Sequence, residues 1–167
     1  ENVCLLIKTC CFSKFENTAS ISNEVKAFKK RYEAKCQCIV INEILPIEDV
    51  WSLNLQADAF VLPSRGEGCG IGYLESMALR KPIVAPSKGG QVDYFIPGAS
   101  FPVSSTLTRA FRLPHNPNYD ETMRWVTTDI EDLKRNMRLA KELQSRNMIP
   151  NDCFKKFDKK FDIHGTE

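Results

Sequence analysis

The chain has 167 residues, 43% of them hydrophobic and 26% charged. That is enough for one globular domain, or one half of a two-domain protein, with a core that needs no disulfide or metal staple. Lys and Arg number 23 against 21 Asp and Glu, a formal charge of +2, which argues against an electrostatic grip on nucleic acid; no apolar run approaches the roughly 20 residues that span a bilayer.

Val3 to Ile7 is a short continuous apolar run, the pattern of a strand buried on both faces. Val25, Phe28 and Tyr32 then recur at helical spacing, with Ser22 as the expected N-cap. Cys38 to Ile41 reads as a second strand. Pro46 can open a helix from Ile47 to about Gln56, with Glu48 and Asp49 in its first turn. Ala59 to Leu62 is a third strand, and a glycine-rich turn leads into a helix carrying Tyr73, Leu74, Met77 and Ala78. Pro82 to Ala85 is a fourth strand, and Gly89-Gly90 opens another step from turn to helix. Strand and helix alternate, which predicts a doubly wound α/β domain with a parallel sheet.

Phe95 to Tyr119 reads as an irregular excursion with one short strand near Phe101. Thr128-x-x-Glu131 is a capping box ahead of a helix with Ile130, Leu133, Met137 and Ala140 on one stripe; Trp125 and that stripe are expected in the core. Phe154, Phe157 and Phe161 among Lys155, Lys156, Lys159 and Lys160 suggest a last helix. Its Phe face is expected to pack on the domain, with a basic membrane-surface helix as the alternative. Residues 1–150 are thus expected to form the Rossmann-like domain and residues 151–167 a helical tail.

Seven cysteines is an odd number, so at least one thiol is free or paired between chains. Cys4, Cys36, Cys38 and Cys69 lie within or beside apolar segments, where a thiol behaves as a small hydrophobe. Cys10-Cys11 and Cys36-x-Cys38 lack zinc-knuckle spacing, and only His115 and His164 could supplement them. Reduced structural cysteines, no metal site and a cytoplasmic setting are the expectation. The opening at Glu1 shows no signal-peptide pattern and is expected of a cut inside a longer protein.

The stretch Pro63-Ser-Arg-Gly-Glu-Gly-Cys-Gly-Ile-Gly-Tyr-Leu-Glu75 sets a turn after a parallel strand and before a helix. In open α/β sheets ligands bind outside the carboxyl ends of strands, at such turns. The glycines permit close backbone approach, and the helix start offers amides and a positive dipole end to an anion. No Gly-x4-Gly-Lys-Ser/Thr is present, and neither Gly66 nor Gly68 begins a Gly-x-Gly-x-x-Gly match. Two carboxylates flank the turn instead. Glu67 lies in it, and Glu75 follows eight residues later, well placed to accept hydrogen bonds from sugar hydroxyls. Phosphate in the middle with sugar at both ends describes a nucleotide sugar.

Ala57 to Gly70, with Leu74-Glu-Ser-Met-Ala78, Lys81-Pro-Ile-Val84 and Gly89-Gly90, resembles the donor-binding domain of GT-B glycosyltransferases. Within that fold it is similar to the retaining family 4 group (glycosyl transferases group 1), whose Glu-x7-Glu signature Glu67 and Glu75 match. The resemblance implies one half of a GT-B fold that binds a nucleoside diphosphate sugar as substrate, with no cofactor and no metal. It implies that Glu75 binds the ribose and that the backbone at Gly68, Cys69, Gly70 and Ile71 holds the diphosphate. Ser64 is a further donor contact by the same resemblance, Ile44 in the Glu43–Leu45 loop lies near the base, and Glu67 works over the donor sugar.

The sequence also departs from that pattern. Cys69 stands where the family often has Phe, Gly72 where it has Pro, and Arg80 where it has Gly. The upstream Arg–Lys pair that neutralises the diphosphate has no counterpart, since Lys8 is not in the pattern. The acceptor-binding N-terminal domain is expected elsewhere in the parent protein, whose possible peripheral membrane contact stays open, and this piece alone is expected to be inactive. Plain alternatives stand beside these roles: Glu67 as a solvated turn carboxylate, Glu75 as a helix residue pairing with Arg80 or Lys81, and Gly89-Gly90 as a simple loop requirement. At the level of function the alternatives are a non-catalytic nucleotide-sugar-binding module, a nucleotide-sugar epimerase of the same fold and an unrelated flavodoxin-like module.

Overall fold

The computed structural model describes residues 3–9, 18–110 and 122–161. They fall into two compact units, Glu1–Val50 and Trp51–Glu167. The expectations for Cys10-Cys11, His115 and His164 lie outside the described residues.

The first unit contains β1 (Cys4–Thr9), α1 (Thr18–Arg31) and β2 (Gln37–Asn42). β1 and β2 pair in parallel, from Cys4 opposite Gln37 to Thr9 opposite Asn42. The apolar run of β1 is not sealed on both faces as its composition suggests: Leu5 and Leu6 are each 39% exposed. A parallel strand is sealed only when strands flank it and helices cover both faces. Among the described residues, β1 has only β2 as strand neighbour. Ser22 does not cap α1, because the helix begins at Thr18; no Gly or Pro separates Thr18 from Val25, so nothing stops the helix propagating back.

α2 (Ile47–Gln56) runs from the first unit into the second. The second unit continues with β3 (Phe60–Val61), α3 (Ile71–Ala78), β4 (Ile83–Pro86) and a 3₁₀ helix at Gly90–Tyr94. Next come β5 (Ser100–Val103), β6 (Ser105–Arg109), β7 (Arg124–Thr128), α4 (Ile130–Ser145) and α5 (Asn151–Phe161). β3, β4 and β5 pair in parallel with β4 in the middle. Successive side chains of β4 point to opposite faces. Ile83 and Ala85 join a cluster with Tyr73 and Met77 of α3 and Phe154 and Phe157 of α5. Val84 joins Phe101, Val103 and Ala140 of α4, with Leu133 and Met137 packed alongside. Helices on both faces of a parallel sheet make the Rossmann-like three-layer arrangement.

Two readings are corrected here. The strand expected near Phe101 is β5, but a second strand, β6, follows it in the stretch read as irregular, whose residues 111–119 lie outside the described residues. β6 pairs antiparallel with β7, Thr108 opposite Trp125, and the Thr108 and Thr127 hydroxyls hydrogen-bond at 2.6 Å. That pairing is supplied by a distant partner strand, so local composition hides it. The helix cap also shifts by one residue. Thr128 is occupied in β7, and the Asp129 carboxylate accepts from the Asp132 amide at 2.7 Å instead.

α5 turns its Phe face inward, with Phe157 fully buried. Its Asp158 accepts two hydrogen bonds from Arg80, at 2.7 and 2.5 Å, on the turn that ends α3. Among the described residues no helix is long and apolar enough to cross a membrane.

Candidate functional site

The site lies where β3 hands over to α3. The Ser64 hydroxyl donates to the Gly66 carbonyl at 3.0 Å and accepts from the Gly66 amide at 3.3 Å, closing a local turn. Gly70 then takes a left-handed conformation, φ 66° and ψ 52°, as the N-cap of α3. A side chain there would be strained and would press on the Tyr73 ring, 2.8 Å from the ideal Cβ position. No side chain caps α3; the Tyr73 amide donates to the Gly70 carbonyl at 3.0 Å, and the first amides ahead of it carry the positive end of the helix dipole.

Three neighbours hold this turn. Tyr73 donates its hydroxyl to the Leu62 carbonyl at 2.5 Å; burial first, then the charge of Glu67, pushes its phenol well above the ordinary tyrosine value. From the 3₁₀ helix, the Gly90 amide donates to the Glu67 carbonyl at 3.4 Å, and a Cβ at Gly90 would overlap the Gly68 carbonyl oxygen. Gly90 is therefore required by a backbone crossing. The Tyr94 hydroxyl meets the Cys69 sulfur at 2.7 Å, a contact that, with some burial, raises the Tyr94 phenol to about 12. The third neighbour is β7, whose Val126 amide donates to the Arg65 carbonyl at 2.7 Å while the Arg65 guanidinium lies over the Trp125 ring at 4.4 Å.

Glu67 is half-buried in the turn. Glu75 is half-buried one turn into α3, and its carboxylate meets the Trp51 indole N–H at a long 3.5 Å. Trp51, Glu75, Ala78 and Leu79 line an open cavity of about 240 Å³. Glu75 does not take Arg80 as its partner, because Arg80 is committed to Asp158. Ser64, Glu67, Gly68, Cys69, Gly70, Ile71 and Glu75 thus all belong to one turn and the helix it opens. Ile44 lies in the first unit, after β2, with its side chain 80% exposed.

Two thiols expected in apolar surroundings, Cys4 and Cys69, are exposed instead. Cys69 lies between Gly68 and Gly70, which have no side chains to cover it, and its sulfur meets the Tyr94 hydroxyl. Lys8 donates to the Thr9 carbonyl at 3.0 Å and the Glu43 carbonyl at 2.8 Å, so its ammonium ties the ends of β1 and β2. Tyr94, Trp51 and Tyr73 were not singled out as site residues from sequence. Only the step from Gly89-Gly90 into a helix pointed toward the first of them.

Residues 21–111, more than half of the chain and the whole of the turn with both glutamates, match the family model described as glycosyl transferases group 1. The chain belongs to that family. No curated protein sequence matches it significantly. A group 1 glycosyltransferase domain carries transferase chemistry on a Rossmann-like α/β fold, which is the fold of the second unit. In this group 1 domain the matched span ends after β6, so β7, α4 and α5 complete the core from outside it.

Proposed function

We propose that this chain is the donor half of a retaining GT-B glycosyltransferase of the family 4 type, and that it binds a nucleoside diphosphate sugar at the Ser64–Glu75 turn. The observation that carries the reading is the pair Glu67 and Glu75 on the two flanks of an uncapped helix start. In this reading the diphosphate accepts hydrogen bonds from the amides at Gly68, Cys69, Gly70 and Ile71, and the dipole of α3 stabilises the leaving group as its charge grows. Glu75, whose carboxylate lies beside the Trp51 indole, accepts hydrogen bonds from the ribose hydroxyls. Glu67 accepts from a hydroxyl of the donor sugar and stabilises positive charge at the anomeric carbon in the transition state. A second domain of the parent protein holds the acceptor. Without an upstream Arg–Lys pair, and with Lys8 committed to backbone carbonyls, the donor affinity of this chain alone is weak.

The test is kinetic, on the full parent protein. Glu67→Gln is expected to lower kcat on the order of 10²- to 10³-fold, the scale of losing one preorganised transition-state contact. Glu75→Ala is expected to raise the donor KM about tenfold to a hundredfold, the loss of one or two hydrogen bonds to a charged group. Proton NMR of the product is expected to show the anomeric configuration of the donor retained. An inverted product, or a Glu67→Gln enzyme with unchanged kcat, contradicts the reading. Conversion of the donor in the absence of any acceptor would instead favour an epimerase.

A further inference from the structure

We propose that Cys36 and Cys38 form a dithiol that closes to an intramolecular disulfide by exchange with a small-molecule disulfide. Their sulfurs stand 3.8 Å apart, and both side chains are half-buried, reachable from solvent yet held in place. Cys36 lies on a bend just before β2 and Cys38 is the second residue of that strand. Residues two apart share one face of a strand, with Cα atoms about 6.6 Å apart when fully extended. That spacing is inside the roughly 4.4–6.8 Å range over which disulfides form, and a bend shortens it further. Cys4 is opposite Gln37 in the β1–β2 register while Leu5 is opposite Cys38. Cys4 therefore projects from the other face of the β1–β2 pair, although its charge still acts on Cys38. The acidity of Cys38 reflects the same closeness: burial first, then the hydrogen bond and charge of Cys36, push its thiol up, against a smaller pull from Lys29.

The exchange balances without any other oxidant. A Cys36 thiolate attacks one sulfur of the small disulfide, forming a protein–small-molecule S–S bond and expelling one small thiol. The Cys38 thiolate then attacks the Cys36 sulfur, forming the Cys36–Cys38 bond and expelling the second small thiol, and the two protons leave on the two released thiols. The Cys38 sulfur, 3.8 Å from that of Cys36, is placed for this second step, which is intramolecular and so gains from proximity. The inference is independent of the donor-site reading.

The sequence supplies a clean readout, because trypsin releases residues 36–65 as one peptide containing Cys36 and Cys38 and no other cysteine. The folded full chain is incubated with oxidised glutathione, alkylated, digested and analysed by mass spectrometry. The expected product is peptide 36–65 lighter by about 2 Da than its reduced form, inert to alkylation and restored by dithiothreitol. Cys36→Ser and Cys38→Ser chains are expected to accumulate a single glutathione adduct on that peptide instead. Two alkylated thiols, or two glutathiones on one wild-type peptide, would overturn the proposal.

Discussion

β1 and β4 are equally apolar in sequence, Leu5-Leu6-Ile7 against Ile83-Val84-Ala85, yet their surroundings differ completely. Leu5 and Leu6 stay well exposed, whereas Ile83 and Val84 are fully buried. The difference lies in the neighbours. β4 runs between β3 and β5, with α3 and α5 on one face and α4 on the other, while among the described residues β1 pairs only with β2. Apolar sequence is thus a demand for cover, and flanking strands with helices on both faces are what meet it. The Ser64–Glu75 turn grows directly from the well-covered region, because Tyr73 is in its core and also holds the Leu62 carbonyl at the start of the turn.

The largest effect should come from removing the deepest cover. Phe157→Ala is expected to cost about 3–5 kcal/mol of unfolding free energy in urea, as for other large-to-small core changes. A cost under about 1 kcal/mol would mean that α5 is an appendage and would break the contrast. Gly90→Ala comes next. Its new methyl must displace the Gly68 carbonyl, so about 1–3 kcal/mol is expected, with amide chemical shifts moving across Glu67–Gly70 in an NMR spectrum.

Tyr94→Phe removes only the hydroxyl that meets Cys69 and should cost about 1 kcal/mol, one hydrogen bond's net worth. It also carries a pH signature. The folded Tyr94 phenol is raised from 10 to about 12 by the Cys69 contact and by burial. The folded state therefore binds the phenolic proton more tightly than the unfolded chain does. The resulting stability is fully present below pH 10 and disappears as pH rises through about 12. Urea midpoints measured across that interval should fall less steeply in Tyr94→Phe than in wild type. The smallest effect is expected in the first unit, where Leu5→Ala should cost about 1 kcal/mol or less because the side chain starts partly exposed.

Much of this architecture was legible in the sequence where local signals act alone. Pro46 with Glu48 and Asp49 predicted α2 at Ile47–Gln56, and the Phe154, Phe157, Phe161 spacing predicted α5 and its buried face. The Glu67 and Glu75 pair and the glycine turn were equally readable, because a strand, a turn and a helix follow one another without interruption. What stayed hidden depends on partners distant in sequence. β6 and β7 exist through each other, and Thr128 could not cap α4 because β7 claims it. Gly90 is forced by the Gly68 backbone passing over it, and Cys69 finds Tyr94 across 25 positions. Neither pairing leaves a mark on local composition. The exposure of Leu5 and Leu6 was missed for the same reason, since counting apolar residues does not count neighbours.

The central claim is that the turn from Ser64 to Glu75 receives a nucleoside diphosphate. Two-dimensional NMR titration of the chain with UDP, GDP and ADP tests it most directly, with Glu75→Ala as the paired sample. Binding is expected in the millimolar to high-micromolar range, roughly 4–6 kcal/mol. Shifts should concentrate between Glu67 and Glu75, favour one base and shrink in Glu75→Ala. If the same titration of the full parent protein leaves those residues unmoved at several millimolar of every nucleotide, the claim is wrong.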